Sequence, residues 1–285
     1  MGLMPTLLSV RLIDEMVLRA LSEDVGTGDM TTLLTVPEGL EAVGEFVATQ
    51  SGVLAGMPVV ERVFAQLNPR IRLEPLVKEG QRFEPEAILA TVHGEARALL
   101  TGERVALNFL QRLSGIATLT ARFVEAVHDL PVRVCDTRKT TPGLRYLERY
   151  AVRVGGGYNH RFGLYDAVLI KDNHIAVCGG IAEALRRVRR ILPHTMKVEV
   201  ECTNLQQVGE ALDAGADIIL LDNMAPHELR EAVCLAKGRA VLEASGGVRL
   251  DIVRTIAETG VDAISVGALT HSAPAIDIKL ELRSG

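Results

Sequence analysis

Tryptophan is absent from the 285-residue sequence, and six phenylalanines and four tyrosines are its only other large aromatics. The core must therefore be aliphatic, built from Leu, Val, Ile and Ala. A surplus of positive charge is also missing. The formal net charge of −5 argues against general affinity for nucleic acid. The four cysteines (Cys135, Cys178, Cys202 and Cys234) are far apart and form no CxxC pair. That spacing supports neither a zinc site nor a disulfide framework, and it reads as reduced thiols of a cytoplasmic protein. No stretch reaches the roughly 18 apolar residues of a spanning helix. The opening "MGLMPTLLSVRLIDEM" carries charge too early for a secretory leader.

What is present is a globular composition, 48% hydrophobic and 24% charged, which suffices to bury a large core. The length suits one barrel with an accessory domain. Residues 9–22 place Val10, Ile13, Val17 and Leu21 at helical spacing behind Ser9, a good N-cap. From about residue 41 the texture becomes short extended pieces, "EAVGEFVAT", "RIRLEPLV" and "AILATVHG", interrupted by a helical "PVVERVFAQL". Glycine, proline and acidic turns separate them, as in an α+β domain. A long helical stretch over 97–128 follows, with a break expected near Ser114-Gly115.

Beyond it the pattern is regular. Strands are predicted at 132–136, 167–171, 197–201, 218–222, 240–245 and 263–267, most of them joined by helical segments. The last four begin 21 to 23 residues apart, one β/α unit each. Apolar runs of this kind suit parallel strands covered on both faces. The strands end in Asp136-Thr-Arg-Lys, Lys171, Glu201, Asp222, Ser245-Gly-Gly and Gly267. In an α/β barrel all these ends open on one face, where active sites lie.

That face is expected to be cationic. Between Pro131 and Lys171 there are eight lysines and arginines against three acids. Arg145, Arg149 and Arg153 recur at helical spacing and read equally well as a solvated helix face. Arg138, Lys139, Arg161 and Lys171 lie at strand ends or in the "GGGYNHRFG" loop, and with His160 they would bind a multiply anionic ligand. Glu201 and Asp222 end adjacent strands. They would hold Mg²⁺ or form structural ion pairs with Lys171 or Lys139, and spacing leaves both open. The turns "ASGGV" and "SVGAL" end the final two strands, where α/β barrels often bind phosphate.

The segments "DTRKTTPGLR", "GGGYNHRFGLYDAVLIKDNHI", "VEVEC", "ADIILLDNM", "LEASGGV" and "ISVGALTHSAPAIDI" resemble the quinolinate phosphoribosyltransferase family in order and over nearly the whole chain. The N-terminal "EDVGTGDMTT" and "GERVALNFLQRLSGIATLT" fit the same family. The resemblance implies an incomplete, seven-stranded α/β barrel over 113–270 and an N-terminal α/β sandwich over 1–112. The tail, 271–285, would return to the sandwich. It also implies an enzyme that makes nicotinate mononucleotide, pyrophosphate and CO₂ from quinolinate and phosphoribosyl pyrophosphate with Mg²⁺, for NAD synthesis.

Carried over by motif, Arg138, His160, Arg161 and Lys171 would bind quinolinate, with Thr137 shaping their turn and Lys139 near the pyrophosphate. Glu201 and Asp222 would serve the ribose hydroxyls and the metal. Catalysis would rest on Lys139, Lys171, Glu201 and Asp222. Ser245, Gly246, Gly247, Val266, Gly267 and Ala268 would form the 5′-phosphate site, and His271 fits the pattern without an assigned role. Arg104 would reach a neighbouring subunit's pocket, in a homodimer or a hexamer of dimers. A related transferase with another acceptor, an aldolase-type lyase using Lys139 or Lys171, and a non-catalytic phosphosugar binder are the rival readings.

Overall fold

The computed structural model describes residues 8–284, so the first seven residues of the opening segment read above lie outside it. Two compact units emerge. One holds the chain through Ala121, Thr141–Gly156 and the part from Ser272 onward; the other holds Arg122–Thr140 and Gly157–His271.

The first unit begins with α1 (Val10–Val25), whose first turn is capped by the Ser9 side chain accepting from the Leu12 N–H. Ile13, Val17 and Leu21 are buried, as their spacing predicts, whereas Val10 is exposed. Then come α2 (Met30–Thr35), β1 (Glu41–Ala48), β2 (Gly52–Val53), α3 (Met57–Leu67), β3 (Arg72–Pro75), β4 (Arg82–Phe83), β5 (Ile88–Glu95) and α4 (Ala96–Ala126). The helix α5 (Arg145–Val154) also belongs here. Strands β1, β5 and β3 form an antiparallel sheet, and β2 pairs with β4.

The expected break at Ser114-Gly115 is absent, because α4 runs through without interruption. Both residues serve packing instead. The buried Ser114 Oγ accepts from the Ala55 N–H at 3.1 Å and donates to its carbonyl at 3.2 Å. A Cβ on Gly115 would lie 2.0 Å from the Pro274 carbonyl oxygen. Glycine is there to let two backbones touch. Arg149, for which both readings stood open, is 5% exposed on α5, so this position is no solvated face.

The second unit contains β6 (Arg133–Cys135), β7 (Val168–Ile170), α6 (Asp172–Cys178), α7 (Ile181–Ile191), β8 (Val198–Cys202), α8 (Leu205–Asp213), β9 (Ile218–Asp222), α9 (Pro226–Ala236), β10 (Val241–Ser245), α10 (Val253–Ala257), β11 (Ala263–Ser265) and α11 (Ala268–His271). The chain then returns to the first unit, where β12 (Ile278–Ser284) pairs antiparallel with β1.

All six predicted strands exist, in one parallel sheet ordered β6-β11-β10-β9-β8-β7. A seventh position is held only by a parallel bridge from Cys135 to Tyr158. The ring is thus open between Tyr158 and β7. Each residue of β8 is buried, so both faces are covered, as βα connections require. Aspartates that open two strands tie down their neighbours: Asp217 accepts from Val198 N–H at 2.7 Å, and Asp262 from Leu242 N–H at 2.8 Å.

Candidate active site

Side chains alternate across a strand, so residues two apart share a face. On the inner face of the second unit this places Leu169 with Lys171, Leu220 with Asp222, and Glu243 with Ser245, all lining one cavity. Thr137, Arg138, Lys139, His160, Arg161, Glu201 and Ser265 complete its wall, around a volume of about 170 Å³. The expected cations Arg138, Lys139, His160, Arg161 and Lys171 therefore do converge. Among the expected phosphate-site residues, Ser245 lines the same cavity.

Local hydrogen bonds explain how one turn presents two adjacent cations. The Thr137 Oγ1 accepts from the Lys139 N–H at 3.0 Å, and the Thr140 N–H donates to the Arg138 carbonyl at 2.9 Å. From the other side, Thr270 Oγ1 donates to the Lys139 carbonyl at 2.8 Å. A Cβ at Gly267 would meet Lys139 Cδ at 3.0 Å and His271 Nε2 at 3.1 Å, which puts His271 at the edge of this turn.

The loop carrying His160 and Arg161 hangs from Asp136, which is fully buried. Asp136 Oδ2 accepts from Asn159 Nδ2 at 2.5 Å, and Oδ1 from the His160 N–H at 2.8 Å. Arg161 is held by its Nη1 donating to the Ala167 carbonyl at 3.2 Å. Burial and the neighbouring Arg138 both lower the Arg161 pKa, while Glu199 opposes them. A site that crowds two partly desolvated guanidiniums is arranged for an anion.

Glu201 is ion-paired with Lys171. Asp222 Oδ2 accepts from Asn223 Nδ2 at 2.8 Å. Both open possibilities for these acids are thereby narrowed: Glu201 makes an internal pair, and Asp222 faces the cavity beside it. Magnesium prefers oxygen ligands and commonly takes one or two carboxylates, so the donor set of Glu201 and Asp222 suits it. Lys171 would have to yield Glu201 to the ion.

The turn after β10 needs glycine for a local reason. Gly246 has φ 92°, and a Cβ there would lie 2.3 Å from the Asn223 side chain. Asn223 donates its N–H to the Ser245 carbonyl at 2.9 Å, which couples the ends of β9 and β10. Gly247 lies just past the end of β10, while Val266 follows β11 and Ala268 opens α11. Arg104 is exposed on α4, in the first unit.

Several residues of the site escape sequence reasoning. Glu199 and Glu243 are 4% and 6% exposed and face His160 Nε2 at 3.2 Å and 3.3 Å. Burial pulls the His160 pKa down, but the Glu199 and Glu243 carboxylates outweigh it and raise the value to about 10. Burial raises Glu199 in turn, opposed by His160 and reinforced by Glu243. Ser265 is 3% exposed, and its Oγ has no hydrogen-bond partner among the described residues. His174 Nδ1 accepts from the Lys171 N–H at 3.0 Å. The readable signal was an acid inside an apolar strand, on the same face as the residue that ends it.

Comparison with known proteins identifies the family. The C-terminal domain of quinolinate phosphoribosyl transferase matches residues 116–281, and its N-terminal domain matches 29–114. A Bacillus subtilis protein described as a probable nicotinate-nucleotide pyrophosphorylase (carboxylating) is 46% identical over 91% of this chain and 90% of its own length. A mitochondrial quinolinate phosphoribosyltransferase (decarboxylating) of Nicotiana tabacum is 42% identical over 95% of this chain and 82% of its own. The crystal structure of NadC from Streptococcus pyogenes superposes with a TM-score of 0.94 at 42% identity, covering 98% of this chain and 99% of that one. The chain belongs to the quinolinate phosphoribosyltransferase family.

Proposed function

We propose that this chain transfers the phosphoribosyl group of phosphoribosyl pyrophosphate to quinolinate with loss of CO₂, giving nicotinate mononucleotide and pyrophosphate. The observation that carries this reading is the small cavity with Arg138, Lys139, His160, Arg161 and Lys171 in its wall, in a chain of net charge −5. Its volume lies below the roughly 300 Å³ at which drug-sized ligand sites begin, as suits a compact aromatic diacid.

Arg138 and Arg161 orient the two carboxylates, while the pyridine nitrogen faces the anomeric carbon. The nitrogen forms the new C–N bond as the bond to pyrophosphate breaks, and Lys139 receives the departing charge. Glu201 and Asp222 lie in the wall where positive charge develops on the ribose, and preorganised carboxylates stabilise such a state. Mg²⁺, held by Glu201 and Asp222, would neutralise pyrophosphate oxygens. The quaternised ring then accepts the electron pair left at C2 as CO₂ departs, and a proton from water replaces it. No pyridoxal or thiamine is needed, because the substrate is its own electron sink. The turns at Gly246 and Gly267 would hold the 5′-phosphate.

The lyase reading is disfavoured by Lys171, whose ammonium is taken up by Glu201, and by Lys139, which is exposed. A homodimer with Arg104 completing the neighbour's pocket fits the open edge of β7 and the exposed Leu164, Tyr165 and Val177 nearby. No helix among the described residues is long and apolar enough to cross a membrane, in keeping with a cytoplasmic enzyme. The deciding assay supplies phosphoribosyl pyrophosphate and Mg²⁺ with either quinolinate or nicotinate. CO₂ and mononucleotide in equal amounts from quinolinate are expected. Mononucleotide from nicotinate alone would transfer the assignment to another acceptor.

A further inference from the structure

His160 is engaged on both ring nitrogens by the protein itself. Its Nδ1 accepts from the Arg161 backbone N–H at 2.8 Å, which places the proton of a neutral ring on Nε2. Nε2 faces Glu199 Oε2 at 3.2 Å and Glu243 Oε1 at 3.3 Å. One N–H cannot align on two carboxylates at once. Two acceptor atoms of the pair, Oε1 of Glu199 and Oε1 of Glu243, have no hydrogen-bond partner among the described residues. Buried carboxylates are costly, and Glu243 stands in the wall of a pocket for a dianion, where an unpaired carboxylate would repel the ligand. Their placement is therefore informative. They come from β8 and β10, on either side of β9, and converge on one imidazole.

What that imidazole holds is the next residue. The His160 backbone is tied to Asp136, its ring to the acids below, and its Nδ1 to the Arg161 backbone. Arg161 is pressed by Arg138 and favoured by Glu199. The acids thus act as counter-charge behind the arginines.

We propose that Glu199 and Glu243 are positioning residues that lock the His160 ring as a strut and, through it, fix Arg161 in the cavity wall. The idea rests on quinolinate as substrate. The same three residues form the one His/Asp/Glu cluster with metal-ligand spacing among the described residues. Its single nitrogen and two carboxylates suit zinc or manganese better than magnesium, so bound metal is the result that would displace the strut.

The test pairs calorimetric titration with ¹⁵N-histidine NMR on the full chain, comparing wild type with Glu199→Ala, Glu243→Ala and the matching Gln variants. The Ala variants should weaken quinolinate binding about tenfold while leaving phosphoribosyl pyrophosphate within about twofold. The Gln variants keep an acceptor of the same shape and should recover most of that loss. Read at a pH above the His160 value of about 10, the neutral ring should carry its proton on Nε2 in the wild type and show a mixture of tautomers in Glu199→Ala. If the Ala variants do not fold, the Gln variants still decide: about a threefold loss confined to quinolinate is expected. Unchanged quinolinate binding, equal losses for both substrates, or one equivalent of zinc or manganese that disappears in Glu199→Gln would each overturn the proposal. Should wild type fail to bind quinolinate, the substrate assignment falls, while the NMR signature still tests the strut.

Discussion

Arg138 and Lys139 share one turn, and the Thr137 and Thr270 hydroxyls hold its backbone from opposite sides. Their separation as ligand groups follows from that turn. Removing one partner of a desolvated charge contact costs about 2 kcal/mol or more, so Arg138→Ala or Arg161→Ala should raise the KM for quinolinate at least ~30-fold. Steady-state kinetics with each substrate varied in turn checks this, and a wild-type KM in both variants would contradict it. His160 supplies a pH prediction. A histidine that binds its proton more tightly when folded contributes stability that is complete below its unfolded pKa of about 6.5. That contribution is lost as pH rises through about 10. Thermal midpoints should therefore fall on the alkaline side, and His160→Gln should flatten that slope. Glu201 and Asp222 could be read from sequence because they end apolar strands. Glu199 and Glu243 could not, since each lies two positions earlier in runs dominated by buried neighbours. What marks them is parity with the terminal residue, and that becomes meaningful only once the inner face is known. Arg149 stayed open for a different reason: a cation at helical spacing fits a solvated face as well as a buried one until its burial is seen.

At the scale of elements, the regular half of the chain was the more legible. Apolar runs located all six strands of the parallel sheet to within two residues at either end. The seventh position is a single bridge at Tyr158, too short to leave a pattern. In α4 the serine-glycine pair suggested a break, yet the helix continues, because glycine's small size is spent on contact with the 274 carbonyl. Local propensity cannot reveal a partner so distant in sequence. The continuous helix yields a sharp test. Overpacking a tight contact costs roughly 1–3 kcal/mol, and Gly115→Ala forces a 2.0 Å approach to backbone that has no soft side chain to move. The variant should melt several degrees lower in a thermal scan; unchanged stability would show that the 274 segment shifts freely.

For the whole molecule, the proposed assembly has a simple consequence for mixtures. Arg104→Ala damages the site an Arg104 would enter, whereas Arg138→Ala damages the site of its own chain. If subunits complete one another, mixing the two inactive proteins should restore activity, since a mixed dimer holds one intact site. No recovery after subunit exchange, verified by mass measurement, would count against a shared site. The sheet of the first unit carries a consequence of a different kind. Its β1 is flanked by β5, which follows soon after it, and by β12, which is separated from it by the entire second unit. During synthesis at roughly 5–20 residues per second, β1 must therefore wait many seconds for its second neighbour. Among the barrel strands, β7 to β11 pair with near neighbours in sequence and wait little, while β6 waits for β11. The nascent chain thus has a built-in order, in which the unit translated first is the last to be finished, and its bare edge is the form most in need of protection meanwhile.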